Sequence, residues 1–450
     1  MLVTVDRVVI SENQPAGASF RVGIPGTFYG AIRPGPTAGP QDQILIASQG
    51  GNFTFAATAG EIVTVTGVLG RVDGSFAIFP RSDADIFRYG PVPTFSLPLD
   101  VSKSATQSRD PDIVRVNGRL FMAWWRVHHE SVHSLSLDNT LNWSAAVPVM
   151  HQGAQPALAV TPLNTIGVLG AGTDELFFKR STDGGFRMDP LITSVDGHPT
   201  RYPALTVGSG EHFHAAWERT GAGVFYSRSL TGGEDFSTPY AIALNGDGNN
   251  SMARICASDQ DHAFVFWQYD EPGNPGIHRV LYRRSVDAGA TFDPARRVRD
   301  ESNPLTSTVK LASLGDAQIG PDDTLYVMGL DEAGGIALLR STNDGQTFGL
   351  VGHLPEPAAR GTLCPKSFAV GGDGSLHALI GVCGTALYYT RSVDGGATWG
   401  PAVNVSSASS PTVGEPRGAK IVLDGTGTPV VVWFSSIGGS TEIYSTRLLN

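Results

Sequence analysis

RRSVDAGATF (283–292) and TRSVDGGATW (390–399) are two copies of one phrase in a chain of 450 residues. More altered copies follow the same outline: KRSTDGGFRM (179–188), SRSLTGGEDF (227–236), LRSTNDGQTF (339–348) and LSLDNTLNW (135–143). Their leading serines, Ser136, Ser181, Ser229, Ser285, Ser341 and Ser392, are 45, 48, 56, 56 and 51 residues apart. A period near 50 marks an array of supersecondary units, and the all-β array of that spacing is the propeller. The phrase makes sense as a turn. Ser and Asp side chains can hydrogen-bond nearby backbone N–H groups, Gly takes a positive φ, and the closing aromatic buries between strands.

Around each copy the chain reads alike. An inner strand opens on an x-Pro step at Pro111, Pro156, Pro203 and Pro416, and a second strand ends in Trp or Gly, as at Trp124, Trp217, Trp267 and Trp433. A third strand runs into the phrase (LYRR, LYYTR, VFYSR), and a fourth follows it. Counting third strands gives seven units, because EIYSTR (442–447) ends the chain where a further phrase would begin; six is the alternative if the worn first unit is no blade. The last unit lacks a fourth strand, and TFSLPLDV (94–101), which reads like TWGPAVNV (398–405), is expected to supply it and close the ring.

Ahead of this array, residues 1–90 hold alternating runs such as LVTVDRVVI, QILIAS and EIVTVTGVL. Period-2 alternation over six or seven short runs predicts a small β-sandwich, linked through Pro91 and Pro93 to a propeller spanning 94–450. The expected role of this first domain is docking to a larger protein assembly. Composition agrees with an all-β chain, since 55 Gly and 29 Pro punctuate short apolar runs. A net charge of −10 speaks against nucleic acid as a partner. There is neither an apolar run of membrane-spanning length nor an N-terminal charged and apolar pair of regions, so neither membrane insertion nor a signal peptide is read here. Three cysteines are too few for a disulfide-built scaffold. A hairpin register pairing Val370 with His377 would oppose Cys364 and Cys383, within bridging distance, and leave Cys256 free.

The repeated phrase resembles the Asp-box, or BNR repeat, of sialidases and related propellers, both catalytic and non-catalytic. Two copies match throughout, at Ser285, Asp287, Gly289, Thr291, Phe292 and at Ser392, Asp394, Gly396, Thr398, Trp399. The structural Asp-box positions are Asp138, Asp183, Asp287, Asn343 and Asp394, with Thr231 standing for Asp in one copy. The sialidase resemblance further implies binding or catalytic roles for Arg109 in SRDPDI, Arg126 in MAWWR, Arg279 in HRVLYRRS and Glu415 in GEPR. It stops there. The loop that would carry the family's acid/base Asp reads VHHES, no Tyr–Glu nucleophile pair is evident on an inner strand, and Tyr444 lies on a third strand with Tyr282 and Tyr389.

Inner strands of a propeller converge on its axis. The position after the x-Pro step is read as Asp112, Ala157, Ala204, Arg254, Lys310, Lys366 and Arg417, with Arg109 and Arg201 upstream in the first and third units. Arg109, Arg201, Arg254, Lys310, Lys366 and Arg417 are therefore the expected ligand-binding set, suited to a carboxylate or sulfate on a glycan or to another anion. No metal or cofactor is expected: His129-Glu130-Ser131-Val132-His133 matches H-E-x-x-H but falls on a strand, where residues four apart cannot share a zinc. The four recurrent tryptophans are expected to be core. The function expected is a non-catalytic recognition or attachment protein for a surface glycan or other anionic ligand, extracellular or part of a virion or phage tail, with sialidase-type glycoside hydrolysis as the alternative.

Overall fold

A computed structural model describes the chain except residues 1, 12, 16–17, 24–42, 49–52, 58, 60, 74, 92, 104–106, 127–129, 137–141, 152, 191–192, 247, 274–277, 303–308, 358–360, 407–415, 438–439 and 450. The described residues are nearly all β, and they divide into two compact units, one mainly Met1–Thr94 and the other mainly Phe95–Leu448.

The larger unit holds seven four-stranded antiparallel sheets among the described residues. Their inner strands are Ser108–Val116, Ala154–Val160, Thr200–Val207, Asn249–Ala257, Leu311–Ile319, Leu363–Val370 and Arg417–Leu423. Each lies beside the next, and the seventh lies beside the first, so the sheets make a closed circuit. The seventh sheet takes its outer strand from Leu99–Asp100, which pairs with Ser440–Arg447 through Tyr444↔Asp100 and Ser445↔Leu99. Apolar faces pack between neighbouring sheets. Trp124, Trp217, Trp267 and Trp433 are all fully buried, as expected of core; the indole N–H of Trp217 donates to Asp196 at 2.7 Å and that of Trp267 to Asn250 at 2.7 Å.

Five of the repeated turns share one bonding pattern. The Gly N–H donates to the leading Ser hydroxyl in Gly185→Ser181, Gly233→Ser229, Gly289→Ser285, Gly345→Ser341 and Gly396→Ser392, at 2.8–3.0 Å. The Asp or Asn oxygen takes the N–H four residues on, as from Thr291 to Asp287 at 2.9 Å and Thr347 to Asn343 at 3.0 Å. Asn343 and Thr231 therefore keep the acceptor that the turn needs, which is why departures from Asp are tolerated. Asp138 lies outside the described residues.

These turns also staple one sheet to the next. Gly185 and Gly345 have φ of +93° and +69°, and a Cβ there would come within 2.6 and 2.5 Å of the rings of Phe121 and Phe264 in the preceding sheets. Only glycine meets both demands. The arginine before each phrase reaches the following turn: Arg180 to the Gly232 carbonyl at 2.7 Å, Arg228 to Asp287 at 3.2 Å and Arg284 to Asp344 at 2.9 Å.

Buried histidines give this unit an acid-side weakness. His377 donates or accepts between Ser375 Oγ at 2.9 Å and Tyr389 Oη at 2.7 Å, and burial pulls its imidazole down to about 4; burial does the same to His133. Each histidine takes up its proton at higher pH in the unfolded chain, so stability falls as pH drops from the ordinary histidine value toward 4. The expected slope is about 1.4 kcal/mol per pH unit for each histidine. Urea titrations at a series of pH values check this: His377→Asn should flatten the dependence by one proton, and an unchanged slope would show that His377 is charged in the fold.

The smaller unit departs from the expected sandwich. Its strands, β1 (Leu2–Ile10), β2 (Phe20–Gly23), β3 (Gln43–Ile46), β4 (Glu61–Val72), β5 (Ser75–Phe79) and β6 (Ile86–Pro91), form one sheet in the order β1-β2-β3-β5-β4-β6. An additional β1–β4 pairing returns that sheet to its first strand, with β3 and β5 parallel, so the result is a closed barrel. Alternation alone reports one buried face and cannot distinguish two facing sheets from one closed sheet. The twelve-residue β4 makes the difference, pairing with β1, β5 and β6 along its length. Val8, Ile10, Phe20, Ile46, Val63 and Ile78 fill the interior.

Candidate ligand site at one mouth of the ring

The inner strands all start at the same end of the ring, and each is irregular near that start, with register shifts such as Arg109/Asp112, Ala154/Ala157, Arg201/Ala204 and Ser251/Arg254. In four consecutive sheets the bulge forces a non-glycine residue to positive φ: Asp110, Gln155 and Tyr202 at 50° and Met252 at 55°. Such residues persist only where their surroundings hold them. Here side chains from one inner strand hold the next. Asp112 Oδ2 accepts from Leu158 N at 2.8 Å, Gln155 Oε1 from Tyr202 N at 2.9 Å, and Asp316 Oδ2 from Ser367 Oγ at 2.8 Å and Phe368 N at 3.2 Å.

The same bonds fix which residues are equivalent, and they correct the ring read from the sequence. The residues matched around the circuit are Asp112, Ala157, Ala204, Arg254, Asp316, Ser367 and Lys420: each is the first to pair again after its bulge except Ser367, which its bond to Asp316 places there, one residue before Phe368. Lys310 precedes its strand and forms an isolated bridge with Arg299. Lys366 sits inside the sixth bulge, one residue before Ser367, with its stem against Gly381. Arg417 opens the seventh strand, three residues before Lys420. The x-Pro marker fails in the later units because the fifth strand has two irregularities and Pro416 lies upstream of the seventh bulge. Of the four consecutive cations Arg254, Lys310, Lys366 and Arg417, Arg254 alone stands at this level, where Lys420 joins it. Lys420 Nζ is 3.8 Å from Asp112 Oδ1, and burial raises the Asp112 carboxyl against the pull of Lys420, with Asp316 adding to the rise.

Nearer the mouth, Arg109 and Arg201 stand at matching places, opposite Trp125 and Glu218 on their second strands. Their surroundings differ. Arg201 Nη2 is 3.0 Å from Glu218 Oε1, and the buried Glu218 carboxyl is raised by burial and drawn back by Arg201. Arg109 has no such carboxylate across the strand. Its Nη2 donates to Gln107 Oε1 at 2.6 Å, while its Nε and the Trp125 indole nitrogen are buried with no hydrogen-bond partner among the described residues. Burial raises the neighbouring Asp110 carboxyl, and Arg109 lowers it.

Of the residues suggested by the sialidase resemblance, Arg126 ends its strand opposite Ser108, close to Arg109. Arg279 is on a third strand of the fourth sheet, paired with Glu271 at 2.7 Å. Glu415 and His129 lie outside the described residues. Tyr444 packs against Trp433, and burial pushes its phenol up to about 12. Among the described residues no cluster of His, Cys, Asp or Glu could hold a metal. Glu218, Trp125, Asp316 and Lys420 escaped the sequence reading. Aligning AWW (123–125) with AWE (216–218) on the recurrent tryptophan would have set Trp125 and Glu218 at one position.

The chain matches no family model, and no curated protein is similar to it. Among solved structures it is similar to a protein of unknown function from Dyadobacter fermentans, at 14% identity and TM-score 0.50, over 79% of this chain and 98% of that one. A fungal alcohol oxidase of the AA5 family, in complex with copper, aligns at 12% identity and TM-score 0.54 over 79% of this chain and 76% of its own. A Hadza microbial sialidase aligns over 100% of this chain and 95% of its own, at 13% identity and TM-score 0.43. Likeness at these identities concerns the fold, an all-β assembly of four-stranded antiparallel sheets, and leaves the chemistry to the residues.

Proposed function

We propose that the larger unit is a seven-bladed β-propeller with Asp-box turns, and that the mouth where its inner strands begin binds a carboxylated or sulfated glycan without cleaving it. Arg109 carries this reading. Among the described residues its guanidinium keeps a buried N–H without a partner, as does the indole of Trp125 opposite it on the next strand, whereas its counterpart Arg201 is already neutralised by Glu218. A carboxylate or sulfate has the acceptors that such donors lack. Tyr444 supports binding over hydrolysis, because a phenol raised to about 12 and packed on Trp433 is a poor nucleophile. The bridge between Cys364 and Cys383 fits maturation in an oxidising place, and with it an extracellular or virion-borne attachment role.

An array of sialylated, uronylated and sulfated glycans, read beside a fluorogenic sialoside assay, tests the proposal. Arg109→Ala should weaken binding about tenfold or more, the scale of one charge-assisted contact. Arg201→Ala should have the smaller effect. Turnover of the sialoside by the wild-type chain would overturn the non-catalytic reading, and equal binding by Arg109→Ala would remove the site.

A further inference from the structure

The residue after Arg109 and the residue after Arg201 both lie inside their bulges, Asp110 in the first sheet and Tyr202 in the third. Gln155 and Met252 are the corresponding residues of the second and fourth sheets. Of these four, all at positive φ, only Tyr202 is exposed, at 37%. Positive φ is costly for a bulky side chain, and residues kept there cluster at ligand clamps. Tyr202 is kept there from outside its own sheet, since its N–H donates to Gln155 Oε1 at 2.9 Å. Among the described residues no aromatic ring or guanidinium lies on the Tyr202 ring. The second sheet thus holds a strained backbone that leaves a bare aromatic ring at the mouth.

Beside Tyr202 stands the ion pair of Arg201 and Glu218. The arginine side chain is 54% exposed, and Glu218, only 6% exposed, keeps Oε2 without a hydrogen-bond partner among the described residues. Such a pair has no net charge and can still donate and accept, which suits hydroxyl groups better than an anion. An aromatic ring next to donors and acceptors of no net charge matches an uncharged pyranose, whose C–H face is apolar and whose rim is hydroxyl. Arg109, by contrast, faces Trp125 across its strand and has no carboxylate there. The inner strand of the second sheet lies between Arg109 and Tyr202, so the two places suit neighbouring sugars of one chain and not two sides of a single ring.

We propose that Tyr202 is a specificity-determining residue of the mouth: it stacks an uncharged pyranose joined to the acidic sugar at Arg109, so the ligand is an acidic oligosaccharide and not a lone acidic sugar. The inference rests on the reading of the mouth as an acidic-glycan site. Isothermal titration of the full chain uses sialyllactose and a hyaluronan tetrasaccharide, each beside its acidic monosaccharide, N-acetylneuraminic or glucuronic acid. The wild type should bind at least one oligosaccharide about tenfold more tightly than its monosaccharide. Tyr202→Gly should lose most of that preference while binding the monosaccharide as the wild type does, Tyr202→Phe should keep it, and Arg109→Ala should weaken both ligands alike. Glycine takes positive φ without steric cost, so Tyr202→Gly should melt at or above the wild-type temperature. An unchanged preference in Tyr202→Gly would overturn the inference and, where Arg109→Ala still weakens binding, leave the reading of the mouth standing. Equal binding of monosaccharide and oligosaccharide by the wild type would overturn it as well. So would a Tyr202→Gly chain that melts well below the wild type, since the ring would then serve the fold. Binding of none of the four probes would remove both the inference and the reading it rests on.

Discussion

A chain that begins at residue 104 is expected to lose its cooperative unfolding transition, whereas one that begins at residue 91 keeps it. The difference lies in about a dozen residues. Leu99 and Asp100 complete the seventh sheet; Phe95 bridges Leu448, Ser96 N donates to Arg447 O at 2.9 Å, and Ser102 Oγ accepts from Ile443 N at 3.0 Å. Val101 belongs to the core between the seventh and first sheets, with Ile443 and Trp124. Their removal bares the whole edge of Ser440–Arg447 and opens that core, a loss well beyond the ~1–3 kcal/mol of an ordinary point substitution. Circular dichroism melts and gel filtration of the two truncations check this. Equal, sharp melting of both would show that the strand is dispensable and that the ring closes in another way.

The second large effect concerns the bond between Cys364 and Cys383, whose Cα atoms are 5.7 Å apart. It joins the inner strand of the sixth sheet to the residue after its second strand, across a separation of 19 residues. A loop of that length implies a loss of about 3 kcal/mol when the bond is removed, through the freedom it returns to the unfolded chain. Cys364→Ser with Cys383→Ser should show this in urea titration, and reductant should produce the same shift in the wild type. Cys256 is buried, burial raises its thiol, and Cys256→Ser should leave the reductant effect intact. A reductant shift that survives the double substitution would mean that the bond carries none of the stability.

The sequence reading of this bridge reached the right pair by the wrong register. It set Val370 opposite His377, whereas Val370 pairs with Leu376, and the shift between Pro365 and Phe368 then sets Cys364 against Gly381. The cysteines end up diagonal, with Cys383 two residues beyond Gly381, the residue opposite Cys364, and still close enough to join. The same bulge misled the reading of Lys366, and its counterparts misplaced Lys310 and Arg417. Turns announce themselves through residue types that few other conformations tolerate, so the repeat and the closing strand were legible. A bulge is an inserted residue without a fixed identity: Asp110, Gln155, Tyr202 and Met252 share a backbone conformation and no side-chain chemistry. Pairing across strands was hidden for the same reason, so the neutralisation of Arg201 by Glu218 and the openness of Arg109 could not be separated. In the first 90 residues, alternation revealed the strands and concealed that their sheet closes on itself.

Strand 99–100 also sets a timetable for the chain's birth. Its partners, residues 444 and 445, leave the ribosome some 345 residues later. At the usual pace of synthesis that interval is roughly 20–70 s, during which the first segment waits and every completed sheet ends in an unsatisfied border. A permuted gene that starts in a loop between two sheets, omits residues 1–93 and joins residue 450 to residue 94 would bring this strand next to its partner in the chain through a new peptide link. Such a permutant would assemble its seventh sheet as one contiguous stretch, so its yield at high expression, compared with that of the natural order, measures how much the long wait costs in aggregation.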